Sequence, residues 1–225
     1  MKLIYEGKTK NVYENTNGTL TLKLKDDATG KDGVFDPGEN TVGLSISGLG
    51  RESLRLSVYY FELLKEKGVP THYISSDLEK AEMQVIPAEI FGKGMEFICR
   101  RKADGSFVRR YGEYVEKGAD LGFLVEATIK DDARQDPPVT REALAALKIM
   151  SEQQYDTCAA LTKKIAKLLA DDLSQKGLEL HDLKFEFGKN SNGEVMLIDE
   201  VSAGCLRVYR NGAAVGPMEL GGYVL

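Results

Sequence analysis

Residues 184–210 read KFEFGKNSNGEVMLIDEVSAGCLRVYR. Alternation over KFEFG and VMLID marks two strands, and Asn190-Ser191-Asn192-Gly193 between them is turn chemistry, so the segment folds as an antiparallel hairpin. The period of two sends Lys184 and Glu186 to one face of the first strand, and the returning strand brings Asp199 beside them with Glu200 next in the chain. Arg207 follows just beyond. Glu186 and Asp199 stand in the apolar surroundings FEF and LIDE, where unpaired carboxylates are costly to bury. A hard divalent cation would settle both, and magnesium takes one or two protein carboxylates together with nucleotide phosphates. Two inward carboxylates with a lysine therefore point to a magnesium nucleotide site; the plainer alternative is a pair of solvated strand charges.

Outward from this hairpin the pattern is mixed, with strands first and helices later and no internal repeat, which favours an α+β fold of antiparallel sheets with packed helices. KLIYEGKTKNVYE reads as two short strands around Gly7-Lys8-Thr9-Lys10. TLTLKLK follows an Asn17-Gly18 turn as a third, with Leu20, Leu22 and Leu24 alternating against polar residues. Residues 26–51, rich in Gly, Asp and Ser, read as a long loop, of a length that in compact domains is usually functional or mobile. Leu54, Val58, Phe61 and Leu64 recur at helical spacing, and Gly68 with Pro70 supplies the stop. Further on, MEFICRRK and FVRRYG read as strands around an Asp104-Gly105 turn, and Thr140 as a helix cap. Ser151 and Gln154 form a capping box for a helix whose stripe runs Tyr155, Cys158, Leu161, Ile165, Leu168 and Leu169 to Gly177.

Composition bounds the function. The chain has 225 residues, 42% hydrophobic and 29% charged, enough for one large or two small domains. A net charge of -5 argues against a general nucleic-acid surface. No apolar run approaches the roughly 18 residues of a membrane span, and MKLIYEGKTK turns charged too soon for a secretory signal, so a cytoplasmic protein is expected. Cys99, Cys158 and Cys205 match neither a disulfide framework nor a zinc pattern, and His72 and His181 are too few and too distant for zinc.

Three other segments could carry chemistry. Gly7-Lys8-Thr9-Lys10 lets backbone and two lysines approach phosphate oxygens, without being a Walker loop; an ordinary hairpin is the alternative. Arg100 to Arg110 concentrates cations near Ser106, which suits a phosphomonoester as well as it suits a solvated hairpin. The run Lys130 to Pro138 mixes both charges before a stiff turn, and solvated loop is its plain reading.

Taken in order, YEGKTKNVYE, KDDAT, ELLKEKGVPTHYI, GSFVRRYG, KDDARQDPP, LKFEFG and IDEVSAGCLRVYR resemble the SAICAR synthetase family of purine biosynthesis nearly end to end. The resemblance implies a two-lobed fold related to ATP-grasp and protein-kinase architecture, with a nucleotide-binding lobe at 1–85 and a lobe at 86–225 carrying the ribotide, metal and amino-acid sites. It implies ATP-dependent joining of a carboxylated aminoimidazole ribotide to L-aspartate through an acyl phosphate, with ATP and Mg2+ as cofactors and a homodimer as the assembly. By the same resemblance Gly7, Lys8, Thr9, Lys10 and Val12 match the nucleotide loop, and Lys80, Met83 and Val85 fall at the hinge near adenine. Glu186 and Asp199 match the magnesium ligands, and Arg100, Ser106 and Arg207 the contacts to the ribotide phosphate. Lys184, Lys130 and Asp32 are the catalytic candidates. No nucleic acid or membrane partner is implied.

The chain departs from the family pattern on the substrate side. The usual SPD is Ser202-Ala203-Gly204, the expected tryptophan and aspartate are Tyr209 and Arg210, and two asparagines of the first lobe are Ser53 and Leu54. The asparagine usual after Arg100 is Arg101, and an insertion, roughly IFGKGME, precedes that arginine. The alternatives are a paralogous ligase acting on another ribotide or amine, and a nucleotide-binding protein without turnover.

Overall fold

The computed structural model describes residues 1–225. Its first sheet sets strands Lys2–Glu6, Lys10–Glu14, Leu20–Leu24, Glu82–Val85 and Tyr73–Asp77 side by side in that order, each antiparallel to its neighbour. Register pairs Val12 with Leu22 and Lys10 with Leu24. Leu22, Leu24, Met83 and Val85 are buried and share one core with Leu54, Tyr60, Phe61 and Leu64 of helix Leu49–Glu66. Lys10 lies two residues before Val12, so alternation carries it to the same inward face. A lysine driven inward needs carboxylate partners, and this sets the character of the site.

The segment expected to be a long loop is instead ordered. Asp27–Lys31, Val34–Phe35 and Val42–Ser45 form a three-stranded sheet, and the helix begins at Leu49. Strands this short and rich in Gly and Asp show no apolar alternation. A Cβ on Gly43 would stand 2.4 Å from the carbonyl oxygen of Gly30, so glycine permits close strand packing there. Asp26 ties the segment to the helix, its carboxylate accepting from the amides of Gly48 and Gly50 at 3.0 Å each.

A second correction concerns FVRRYG, which lies in a helix, Gly105–Tyr111. Asp-Gly serves equally as hairpin turn and helix start, and here the Asp104 carboxylate accepts from the Gly105 amide at 2.8 Å. Phe107 and Tyr111, four residues apart, bring their ring centroids to 4.8 Å, the pairing that a strand reading overlooks. Strand Met95–Lys102 pairs instead with Asp120–Ile129 on one side and Glu179–Lys189 on the other.

The second sheet runs Asp120–Ile129, Met95–Lys102, Glu179–Lys189, Leu206–Arg210 and Ala213–Ala214, with Val195–Ile198 and Glu89–Ile90 also paired to Glu179–Lys189. The 184–210 hairpin forms as its sequence requires, with Glu186 opposite Ile198 and Lys189 opposite Val195. On one face Phe97, Cys99, Leu183, Phe185 and Phe187 join the core with Cys158, Ile165, Ala166 and Leu169 of helix Glu152–Gln175. That helix carries the expected Ser151 and Gln154 capping box, and Thr140 caps helix Arg141–Ala146. The opposite face presents Glu96, Ile98 and Arg100 from one strand and Asp182, Lys184 and Glu186 from the next, the floor of the site. The two sheets are tied where Leu197 donates to the Pro70 carbonyl at 2.9 Å and accepts from the His72 amide at 3.0 Å. No helix is long and apolar enough to cross a membrane.

Candidate active site

Two cavities, about 360 and 740 Å³, meet over this floor. The smaller is lined by the Gly7-Lys8-Thr9-Lys10 loop, Lys130, Glu186, Asp199 and Glu200, and the larger by Arg100, Ser106, Asp182 and Arg207. Glu96, Lys184 and Cys205 line both, so the cavities form one cleft. Its axis follows a single strand: Asp182 faces the larger cavity, Lys184 the junction and Glu186 the smaller, at alternate positions.

At the smaller end Lys10 forms ion pairs with both Asp199 and Glu200, and Lys130 bonds Glu186 at 2.7 Å. Burial opposes the charge of Lys10, but Asp199, Glu200 and Glu186 outweigh it and hold the ammonium well above the usual lysine range. Burial, together with the neighbouring Asp199 charge, pushes Glu186 and Glu200 upward. Burial acts in the same sense on Asp199, yet Lys10, Lys130 and a hydrogen bond from Glu200 keep it ionised, below the carboxylate range. Asp199 ends its strand in the left-handed region at φ 72°, and its carbonyl oxygen lies 3.0 Å from His72 Nε2. His72 is buried, which lowers its pKa to about 4, so the neutral ring donates Nε2–H to that carbonyl and fixes the turn.

These carboxylates suit magnesium. Glu186 faces Lys130 and Asp199 faces Lys10, with Glu200 hydrogen-bonded beside Asp199. Asp199 Oδ1, though beside Lys10, is buried without an aligned hydrogen bond. No three acidic groups converge into a ready cage, which leaves part of the shell to phosphate oxygens and water, as magnesium prefers.

At the larger end the guanidinium of Arg100, 1% exposed, bonds Glu126, Asp182 at 3.0 Å and Ser106 at 3.0 Å. Arg207 bonds Asp182 at 2.9 and 3.0 Å and Asp36 at 2.7 Å. Arg110 completes the cluster through Glu126 at 2.5 Å. Each guanidinium has five N–H donors, so Arg100 and Arg207 keep donors for a phosphate. At the junction Lys184 pairs with the buried Glu96 at 2.9 Å.

The remaining candidates divide. Gly7 and Thr9 line the smaller cavity; Val12 packs against the core, and Met83 and Val85 belong to it. Lys80 is exposed on its turn and pairs with Asp77 at 2.6 Å. Asp32 is exposed in a turn at φ 51°. Neither Lys80 nor Asp32 lines the cleft. Sequence reading passed over Glu96, Asp182 and Asp36. Extending the alternation of KFEF back through HDL would have placed Asp182 beside Lys184, and MEFICR would have placed Glu96 with Arg100; Asp36 carries no comparable signal. Gly204 lines the smaller cavity, and a Cβ there would meet only Ser202 Oγ, at 3.4 Å.

Comparison with known proteins identifies the family. The SAICAR synthetase family model matches residues 3–218. A phosphoribosylaminoimidazole-succinocarboxamide synthase from Clostridium tetani is 51% identical over 221 residues, 98% of this chain and 97% of the relative. A solved SAICAR synthetase is 35% identical with a TM-score of 0.81, and another, in complex with ADP, is 29% identical with a TM-score of 0.82; each comparison covers 93% of this chain and 86% of the other. The family match over almost the whole length, the close relative and the shared fold lead to one assignment: the chain belongs to the SAICAR synthetase family.

Proposed function

We propose that this chain joins carboxyaminoimidazole ribotide to L-aspartate at the expense of ATP, giving the succinocarboxamide, ADP and phosphate. The observation that carries the proposal is the single cleft with a lysine and carboxylate end, an arginine end, and Lys184 with Glu96 where they meet. ATP occupies the smaller cavity, its phosphates against Gly7, Lys8, Thr9 and Lys10, with Val12, Met83 and Val85 behind the base. Glu186 and Asp199 hold Mg2+, with Glu200 alongside, and the ion supplies charge neutralisation to the phosphoryl group in transfer. Arg100, Ser106 and Arg207 hold the ribotide phosphate, so the imidazole carboxylate is directed toward the junction. Lys80 and Asp32 take no part in this reading.

The chemistry divides into two displacements. A carboxylate oxygen of the ribotide attacks the γ-phosphorus and the bond to ADP breaks, leaving an acyl phosphate. The neutral amine of aspartate then attacks the acyl carbon, the carbon–oxygen bond breaks, and phosphate leaves as the amine gives up a proton. Both steps bring anions together, so the work of the site is orientation and charge stabilisation. Lys184 at the junction steadies the oxygens in transfer, and Lys130, bonded to Glu186, favours its charged form against burial. The lobes 1–85 and 86–225 enclose the substrates, and the protein acts as a cytoplasmic homodimer.

Purified protein given ATP, magnesium and both co-substrates is expected to release ADP over many turnovers only when ribotide and aspartate are present together. ADP release indifferent to aspartate, or none at all, would overturn the proposal. The space beside Gly204 favours a second reading, a ligase for a different amine; turnover restored by another amino acid but not by aspartate would establish it. The mass in solution tests the dimer.

A further inference from the structure

Six lysines line the smaller cavity: Lys8, Lys10, Lys25, Lys93, Lys130 and Lys184. Five are paired to carboxylates. Lys8 faces Asp132, Lys10 faces Asp199 and Glu200, Lys25 faces Glu6, Lys130 faces Glu186 and Lys184 faces Glu96. Lys93 has no carboxylate or other hydrogen-bond partner, although it borders the same cavity as the most acidic part of the cleft. A polyanionic nucleotide must compete with carboxylates for the other lysines, whereas Lys93 is uncommitted.

Lys93 is also held on a shaped support. Phe91 is buried, the Gly94 amide donates to its carbonyl at 2.9 Å, and Gly92 and Gly94 adopt φ of 57° and 111°, which only glycine does without strain. The Gly94 carbonyl accepts from the Lys130 amide at 3.2 Å, so the turn is fixed to the residue that bonds Glu186. The turn lies within IFGKGME, residues 90–96, where the family resemblance implies an insertion. Two glycines and a buried anchor around one exposed, unpaired lysine make a presentation device.

We propose that Lys93 is a nucleotide-binding residue whose ammonium neutralises the β- and γ-phosphates, a contact contributed by the turn from Phe91 to Gly94. The inference rests on ATP occupying the smaller cavity. A charge-assisted contact at a partly exposed position is worth roughly a fivefold to tenfold change in affinity. Calorimetric titration of the full chain with AMP, ADP and ATP, each in magnesium, tests it. Lys93→Gln is expected to weaken ADP and ATP by that factor, to leave AMP and the melting temperature unchanged, and to be rescued by Lys93→Arg. ADP and ATP bound as tightly by Lys93→Gln as by the natural chain, or AMP weakened equally, would overturn the inference alone. Failure of the natural chain to bind any of the three would overturn the nucleotide reading and this inference with it.

Discussion

Asp182 carries the most exacting consequence of the geometry, because it is the shared carboxylate of two arginines. Arg100, Arg110 and Arg207 are balanced by Asp182, Glu126 and Asp36 through the contacts described above. Asp182→Asn keeps the shape and one acceptor oxygen but removes a full charge from that balance. Placed where Oδ2 stands, the amide oxygen still reaches Arg100 and Arg207; the amide nitrogen then meets Arg207 donor to donor. Breaking a buried pair costs about 3–5 kcal/mol. Each arginine keeps another carboxylate, which brings the expected loss to about 2–3 kcal/mol. For a chain of this length, at about 2–4 °C per kcal/mol, that is a fall of roughly 4–12 °C in melting temperature.

The same substitution has the opposite effect on an anion. One uncompensated positive charge about 5 Å away, at an effective dielectric of about 20, is worth at most about 3 kcal/mol, and solvent at the cleft mouth reduces it. Inorganic phosphate should bind the variant roughly tenfold more tightly. Thermal unfolding with and without saturating phosphate reads both effects, since a ligand of the folded state raises its melting temperature. A variant that melts with the natural chain, or that gains less from phosphate than the natural chain does, would refute the arginine cluster as an anion site.

Three further outcomes follow from other parts of the molecule. Tyr209 donates to Asp104 at 2.8 Å, and Asp104 caps the helix carrying Ser106; Tyr209→Phe should cost about 1 kcal/mol and raise KM for the ribotide with kcat retained, measured by steady-state kinetics. His72 takes up a proton near 6.5 when unfolded but only near 4 when folded, so its contribution to stability is complete above about 6.5 and is lost as pH falls toward 4, by about 1.4 kcal/mol per pH unit; denaturant titrations across that window should show a steeper fall for the natural chain than for His72→Gln. A Cβ at Gly204 meets only Ser202 Oγ, so Gly204→Asp should change stability by less than about 0.5 kcal/mol while altering KM for aspartate or ribotide; a large loss of stability would contradict the open space read there.

Much of this was legible in the chain because burial writes a period into it. Lys184 and Glu186 alternate with Phe185 and Phe187 since one face meets a helix and the other a cleft, and Ser151 with Gln154 marks a helix start by local hydrogen bonding alone. The strands within 27–45 were not legible, because their packing relies on glycine contacts and on Asp26 reaching Gly48 and Gly50, which leave no periodic signature. Asp104-Gly105 misled for another reason: the same dipeptide opens hairpins and helices, and only the Phe107 and Tyr111 pairing distinguishes them. Partnership between charges was the least legible of all. That Lys184 pairs with Glu96, and that Asp36 reaches Arg207 across the cleft, depends on three-dimensional meetings no spacing encodes.

The central claim is that the ribotide carboxylate is activated by direct phosphorylation in this cleft, and oxygen labelling tests it most directly. With ribotide carrying 18O in both carboxylate oxygens, the account predicts that every turnover delivers one labelled oxygen to inorganic phosphate, read by mass spectrometry, while the other remains in the amide. Phosphate free of label, formed at the same rate as the product, would contradict it.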